Sequence, residues 1–69
     1  MRDKDFKKKF GENFKRIRKE VGFSQYGLAK KAGVDRSSIS RIENGELSPT
    51  VLWLSKVAES IGKPLASFV

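Results

Sequence analysis

Four glycines, Gly22, Gly33, Gly45 and Gly62, cut a 69-residue chain into short segments, and each segment is apolar at helical spacing. Phe6, Phe10, Phe14, Ile17 and Val21 step by 4, 4, 3 and 4, one face of a helix with Lys and Arg between. Gly22 stops that helix. Ser24 offers an N-cap to a second helix, in which Leu28, Ala29 and Ala32 face inward. Gly33 ends it, because a residue without Cβ takes positive φ at no steric cost. Asp35 can cap a third helix with Ile39 and Ile42 on its apolar side, and Asn44-Gly45 closes it. Ser48-Pro49 starts a fourth, since Pro suits the first helical position. Its inward stripe is Val51, Leu54, Val57, Ala58 and Ile61, and Gly62 and Pro64 end it. Leu65 to Val69 reads as a fifth, very short helix, with Leu65 and Phe68 three apart. No segment alternates with period two. The expectation is an all-α, compact, five-helix single domain spanning 1–69.

Composition narrows the chemistry. There is no Cys, hence no disulfide or thiolate chemistry, and no His, the commonest general base and metal ligand. At this size folding buries only about 60% of the unfolded chain's surface, so the domain has little room for a cleft. These features weigh against an enzyme, and no metal or cofactor is expected. No apolar run approaches the roughly 20 residues that span a bilayer. The charged N-terminal segment 1–9 lacks the apolar stretch of a signal peptide, so a cytoplasmic chain is expected.

Lys and Arg number 15 against 8 Asp and Glu, a net charge of +7. All of that excess lies in residues 1–33, while 34–69 balance. Such asymmetry points to a polyanionic partner, or to a cationic face kept for solubility. In the segment Ser24 to Asn44, two short helices meet across Ala32-Gly33-Val34, the arrangement of a helix-turn-helix. Around the third helix, Arg36, Ser37, Ser40, Arg41 and Asn44 share one arc opposite Ile39 and Ile42. That arc is polar, uncharged or cationic, and free of acids. An ordinary solvated face looks like this, and so does a helix made to enter the DNA major groove, where Arg can bond guanine O6 and N7 together.

The stretch SQYGLAKKAGVDRSSISRIENGELSPT resembles the helix-turn-helix of the Cro/repressor-type (XRE) transcriptional regulators: SQ-x-x-LA, then AG-V, then S-x-I-S-x-I-E-x-G and Pro-Thr. The likeness runs back through FKRIRKEVG and on through LSKVAESIG, covering roughly Phe10 to Phe68. It implies a lambda-repressor-like fold and binding to double-stranded DNA, with Arg36, Ser37, Ser40 and Arg41 reading base edges. It further implies that Gln25 lies by the DNA backbone and supports the recognition helix, with Asn44 and Thr50 near phosphates. Arg18 and Glu43 map onto the family's structural ion pair. Some residues depart from the pattern. Gly27 weakens the second helix by about 1 kcal/mol relative to Ala. Glu46 would repel phosphates near the turn. Leu52 and Trp53 stand where relatives are usually polar, while Ser55 and Lys63 replace residues that are commonly apolar.

Leu52, Trp53, Leu65, Phe68 and Val69 could form a two-fold interface, and Trp53 could equally widen the core. Dimers built on the last two helices are common among relatives, so a homodimer on an inverted-repeat operator is expected. Lys7 and Lys8 could lie along the DNA backbone or in solvent. The functional expectation is a small, sequence-specific repressor or controller acting at the nucleoid, like phage repressors, restriction-modification controllers and antitoxins. The alternatives are an antitoxin or adaptor that chiefly binds a protein, and charge-driven binding to nucleic acid or an anionic membrane.

Overall fold

A computed structural model describes residues 2–69; Met1, the first residue of the basic N-terminal segment, lies outside the described residues. The elements are α1 (Asp3–Glu20), α2 (Gln25–Ala32), α3 (Arg36–Glu43) and α4 (Val51–Ser60), followed by a 3₁₀ turn at Leu65–Phe68. No strand occurs among the described residues. The expected fifth helix is therefore a 3₁₀ turn. The Ser67 N–H donates to the Pro64 carbonyl at 3.0 Å, the tighter i→i+3 pattern of a short 3₁₀ piece.

Local chemistry accounts for the helix starts. The Ser24 hydroxyl accepts the Gly27 N–H at 2.9 Å, and the Asp35 carboxylate accepts that of Ser38 at 3.2 Å. The cap of α4 differs from expectation. Thr50, not Ser48, holds the position, its hydroxyl accepting the Trp53 N–H at 3.1 Å, and Pro49 lies outside the helix. Val51 also departs from the inward stripe. It is 74% exposed, because the first turn of α4 extends past the edge of the core. At the other helix ends, the four spacing glycines all take positive φ. Gly33 at φ 70° makes the sharp turn from α2 into α3, where the Val34 N–H reaches the Ala29 carbonyl.

α3 lies against α1 and α2, α2 packs on α4, and the 3₁₀ turn closes over α1 and α4. The shared core is Phe10, Phe14, Ile17, Leu28, Ala29, Ile39, Ile42, Leu54, Val57, Ala58 and Phe68. Phe14 is its hub, with ring centroids 5.8 Å from Trp53, 5.6 Å from Phe68 and 6.4 Å from Phe10. Trp53 thus widens the core. Phe68 is only 2% exposed, so it is removed from the expected dimer surface: the 3₁₀ turn folds its ring back onto Phe14.

Candidate nucleic-acid interface

α3 is pinned by both α1 and α2. Arg18 on α1 grips Glu43, at the end of α3, with Nε 2.7 Å from Oε2 and Nη2 3.1 Å from Oε1. Its remaining nitrogen, Nη1, donates to the Phe23 carbonyl at 2.8 Å, tying the same arginine to the chain entering α2. Gln25 Nε2 donates to Glu43 Oε1 at 3.0 Å. The two charged side chains are 9% and 2% exposed, so the pair is bidentate, buried and satisfied on each side. One carboxylate therefore joins α1, α2 and α3.

This pinning determines what α3 shows to solvent. Glu43 is the sole acid within the helix, and it faces inward, neutralised. Arg36, Ser37, Arg41 and Asn44 are exposed, and Ser40 is half-buried. Ser37 and Asp35 are coupled: the hydroxyl donates to the cap carboxylate. The Ser37 hydroxyl holds the Asp35 carboxyl below its ordinary value of 3.8, helped by the Ser38 N–H, so the cap is ionised at neutral pH. At the far end, the Glu46 N–H donates to the Arg41 carbonyl at 2.9 Å, which folds the turn back on α3. The Glu46 carboxylate then lies 3.9 Å from Arg41 Nε, with both groups well exposed.

The residues expected along a DNA backbone sit in different surroundings. Gln25 is half-buried with one amide hydrogen committed to Glu43. Asn44 caps the C-terminus of α3, and the Thr50 hydroxyl is engaged as the cap of α4. Lys7 is half-buried, and Lys8 is exposed, its Cα 3.2 Å from where a Gly45 side chain would begin. α1 therefore crosses directly beside the turn that follows α3. On the other surface, Leu52 (70%), Leu65 and Val69 are exposed, joined by Val51, while Trp53 is half-buried.

Sequence reasoning passed over Gly11. A Cβ there would collide with the Ile42 carbonyl and lie 2.9 Å from that of Glu43, so glycine is what lets α1 approach the end of α3. A glycine inside an otherwise regular helical pattern is the available signal for such close approach. Asn13 was also missed; its Nδ2 donates to the Ser67 carbonyl at 3.3 Å and anchors the 3₁₀ turn. Among the described residues no cluster of acids could hold a metal ion, and no helix is long and apolar enough to cross a membrane.

The chain matches known proteins along most of its length. It is 34% identical over 58 residues to the uncharacterized helix-turn-helix-type transcriptional regulator y4dJ of Sinorhizobium fredii, covering 84% of this chain and 75% of that one. It is 35% identical over 63 residues to the control protein C.MunI of a Mycoplasma species, covering 90% and 85%. The crystal structure of the restriction-modification controller protein C.AhdI from Aeromonas hydrophila superposes with a TM-score of 0.87 at 27% identity, covering 91% of each chain. Other curated relatives are longer, the chain spanning 31% of one and 44% of another. The helix-turn-helix family HTH_3 matches residues 14–68. By that match and those identities, the chain belongs to the HTH_3 family of XRE-type helix-turn-helix regulators, which are not enzymes.

Proposed function

We propose that this protein is a sequence-specific regulator of transcription that binds double-stranded DNA, inserting α3 into the major groove. One observation carries the reading: the only acid of α3 is buried in a bidentate pair with Arg18, so the outward face of Arg36, Ser37, Arg41 and Asn44 has no carboxylate from the helix itself, and the acids Asp35 and Glu46 lie only at its two ends, against Ser37 and Arg41. Base edges in the major groove offer acceptors that arginine bonds in pairs, while phosphates on both sides would reject a carboxylate. The control protein C.MunI and the controller C.AhdI are similar over nearly the whole chain, which supports a small controller or repressor. The protein acts as a homodimer through Val51, Leu52, Leu65 and Val69, on inverted half-sites about 34 Å apart. Gln25, Asn44, Lys7 and Lys8 lie along the phosphates.

The test compares Arg36→Ala and Arg41→Ala on a selected site and on random DNA. Each substitution should cost about 1–3 kcal/mol on the selected site and relax preference at one base pair. Equal losses on random DNA would assign both arginines to phosphates and overturn the base-reading role. A second reading, an adaptor or antitoxin that engages a protein, draws on the exposed Val51-Leu52 pair at the start of α4. It is favoured if no DNA sequence is enriched.

A further inference from the structure

The exposed side of α1 carries a charge pattern that base reading leaves unused. At 3.6 residues per turn, Lys4, Lys8, Lys15 and Lys19 fall within an arc of about 60°. All four are exposed. At 1.5 Å per residue the ridge is about 22 Å long. Glu12 borders it and Asp5 lies beyond, yet neither bridges a lysine. Among the described residues, the ion pairs are Arg16–Glu20, Arg18–Glu43 and Arg41–Glu46. The four ammonium groups therefore have no carboxylate partner.

The position of the ridge gives it a use. Gly11 and Arg18 lie beside the same arc, and both are fixed against the C-terminal end of α3, Gly11 by backbone contact and Arg18 through Glu43. Lys8 itself abuts Gly45 in the turn after α3. A helix seated in the major groove has a phosphate strand at each end, so whatever borders the C-terminal end of α3 borders one of those strands. Consecutive lysines along the ridge are about 6, 10 and 6 Å apart at the helical rise, and each strand carries a charge every 3.4 Å or so along its axis. They can thus meet separate phosphates. An anionic membrane fits less well, because an interfacial helix needs an apolar face beside its cations, and the apolar face of α1 is buried in the core except at Phe6.

We infer that Lys4, Lys8, Lys15 and Lys19 form a phosphate track on α1 that extends the DNA footprint beyond the recognition helix, adding affinity without reading sequence. The inference rests on the DNA-binding reading above. The test measures binding of the full chain to a random-sequence duplex several turns long across a range of salt. The variants are Lys4→Gln/Lys8→Gln, Lys15→Gln/Lys19→Gln and, on the exposed surface beyond the track, Lys56→Gln/Lys63→Gln. The slope of log K against log salt should flatten by about 2 for each α1 pair and stay unchanged for the Lys56/Lys63 pair. A steep wild-type slope that neither α1 pair alters, or that the Lys56/Lys63 pair alters equally, overturns the track and leaves the DNA reading standing. A wild-type protein that binds no duplex overturns both. Unaltered DNA slopes with lost binding to phosphatidylglycerol vesicles would reassign the ridge to a membrane.

Discussion

Arg18 and Glu43 stand 25 positions apart, and nothing local in the sequence joins them. The family likeness paired them, and the structure shows what the pair holds: α1, the entry to α2, and the end of α3 through one carboxylate. Because both groups are buried, removing one strands the other without water or a counter-charge. Arg18→Ala or Glu43→Ala should each cost about 3–5 kcal/mol in urea unfolding, a large share of what a domain this small can hold. Replacing both, as Arg18→Met with Glu43→Leu, should cost clearly less than the two single losses combined. Strict additivity would contradict the mutual role assigned to them. Asp35 and Ser24 were legible as caps because capping is a short-range bond whose partner lies three residues on. Glu46 was legible as an acid near the turn. Its bond back onto α3 was not, because that depends on how the turn folds.

For the helices, apolar spacing located each body, and glycine located each end. α4 shows where that logic stops. Ser48 and Thr50 are both capable caps, and Pro49 suits a first helical position, so the local rules alone do not choose between two starts. In the structure Thr50 is the cap, and Trp53, whose N–H it accepts, packs its ring against Phe14. The inward stripe was correct at Leu54, Val57 and Ala58, which are buried, and failed at Val51, where the core has ended. The 3₁₀ turn likewise depends on contacts beyond its own residues: Phe68 finds Phe14, and Ser67 finds Asn13. The close crossing of α1 and α3 is the element-scale feature most open to test. Gly11→Ala has higher helix propensity, yet its methyl would strike backbone carbonyls that have no rotamer to escape into. Thermal or urea unfolding should show a net loss of about 1–3 kcal/mol, the range of overpacked cores. A gain would mean that α1 and α3 stand further apart than described.

Across the molecule, α1 and α2 support α3, whose outward face is the one proposed to meet DNA. The charge follows the same division, with the excess of +7 confined to the half containing α1 and α2. That asymmetry could be counted directly, whereas its alignment beside α3 could not, since it follows from Gly11 and Gly45 touching their neighbours. The proposed two-fold surface shifts in the same way. Trp53 and Phe68 belong to the core, so aspartate there would report on folding rather than association. Leu52→Asp and Val69→Asp act on exposed residues instead, and should halve the sedimentation mass while leaving the helical circular dichroism intact. An unchanged mass would place the interface elsewhere or leave the protein monomeric.

Selection of binding sites from a random duplex library, at about physiological salt, tests the central claim most directly. A protein that reads the major groove with α3 as a two-fold pair should enrich an inverted repeat whose half-sites lie about one helical turn apart. Binding without enrichment of any sequence would contradict it, leaving a helix-turn-helix held to DNA by charge alone or turned toward a protein partner.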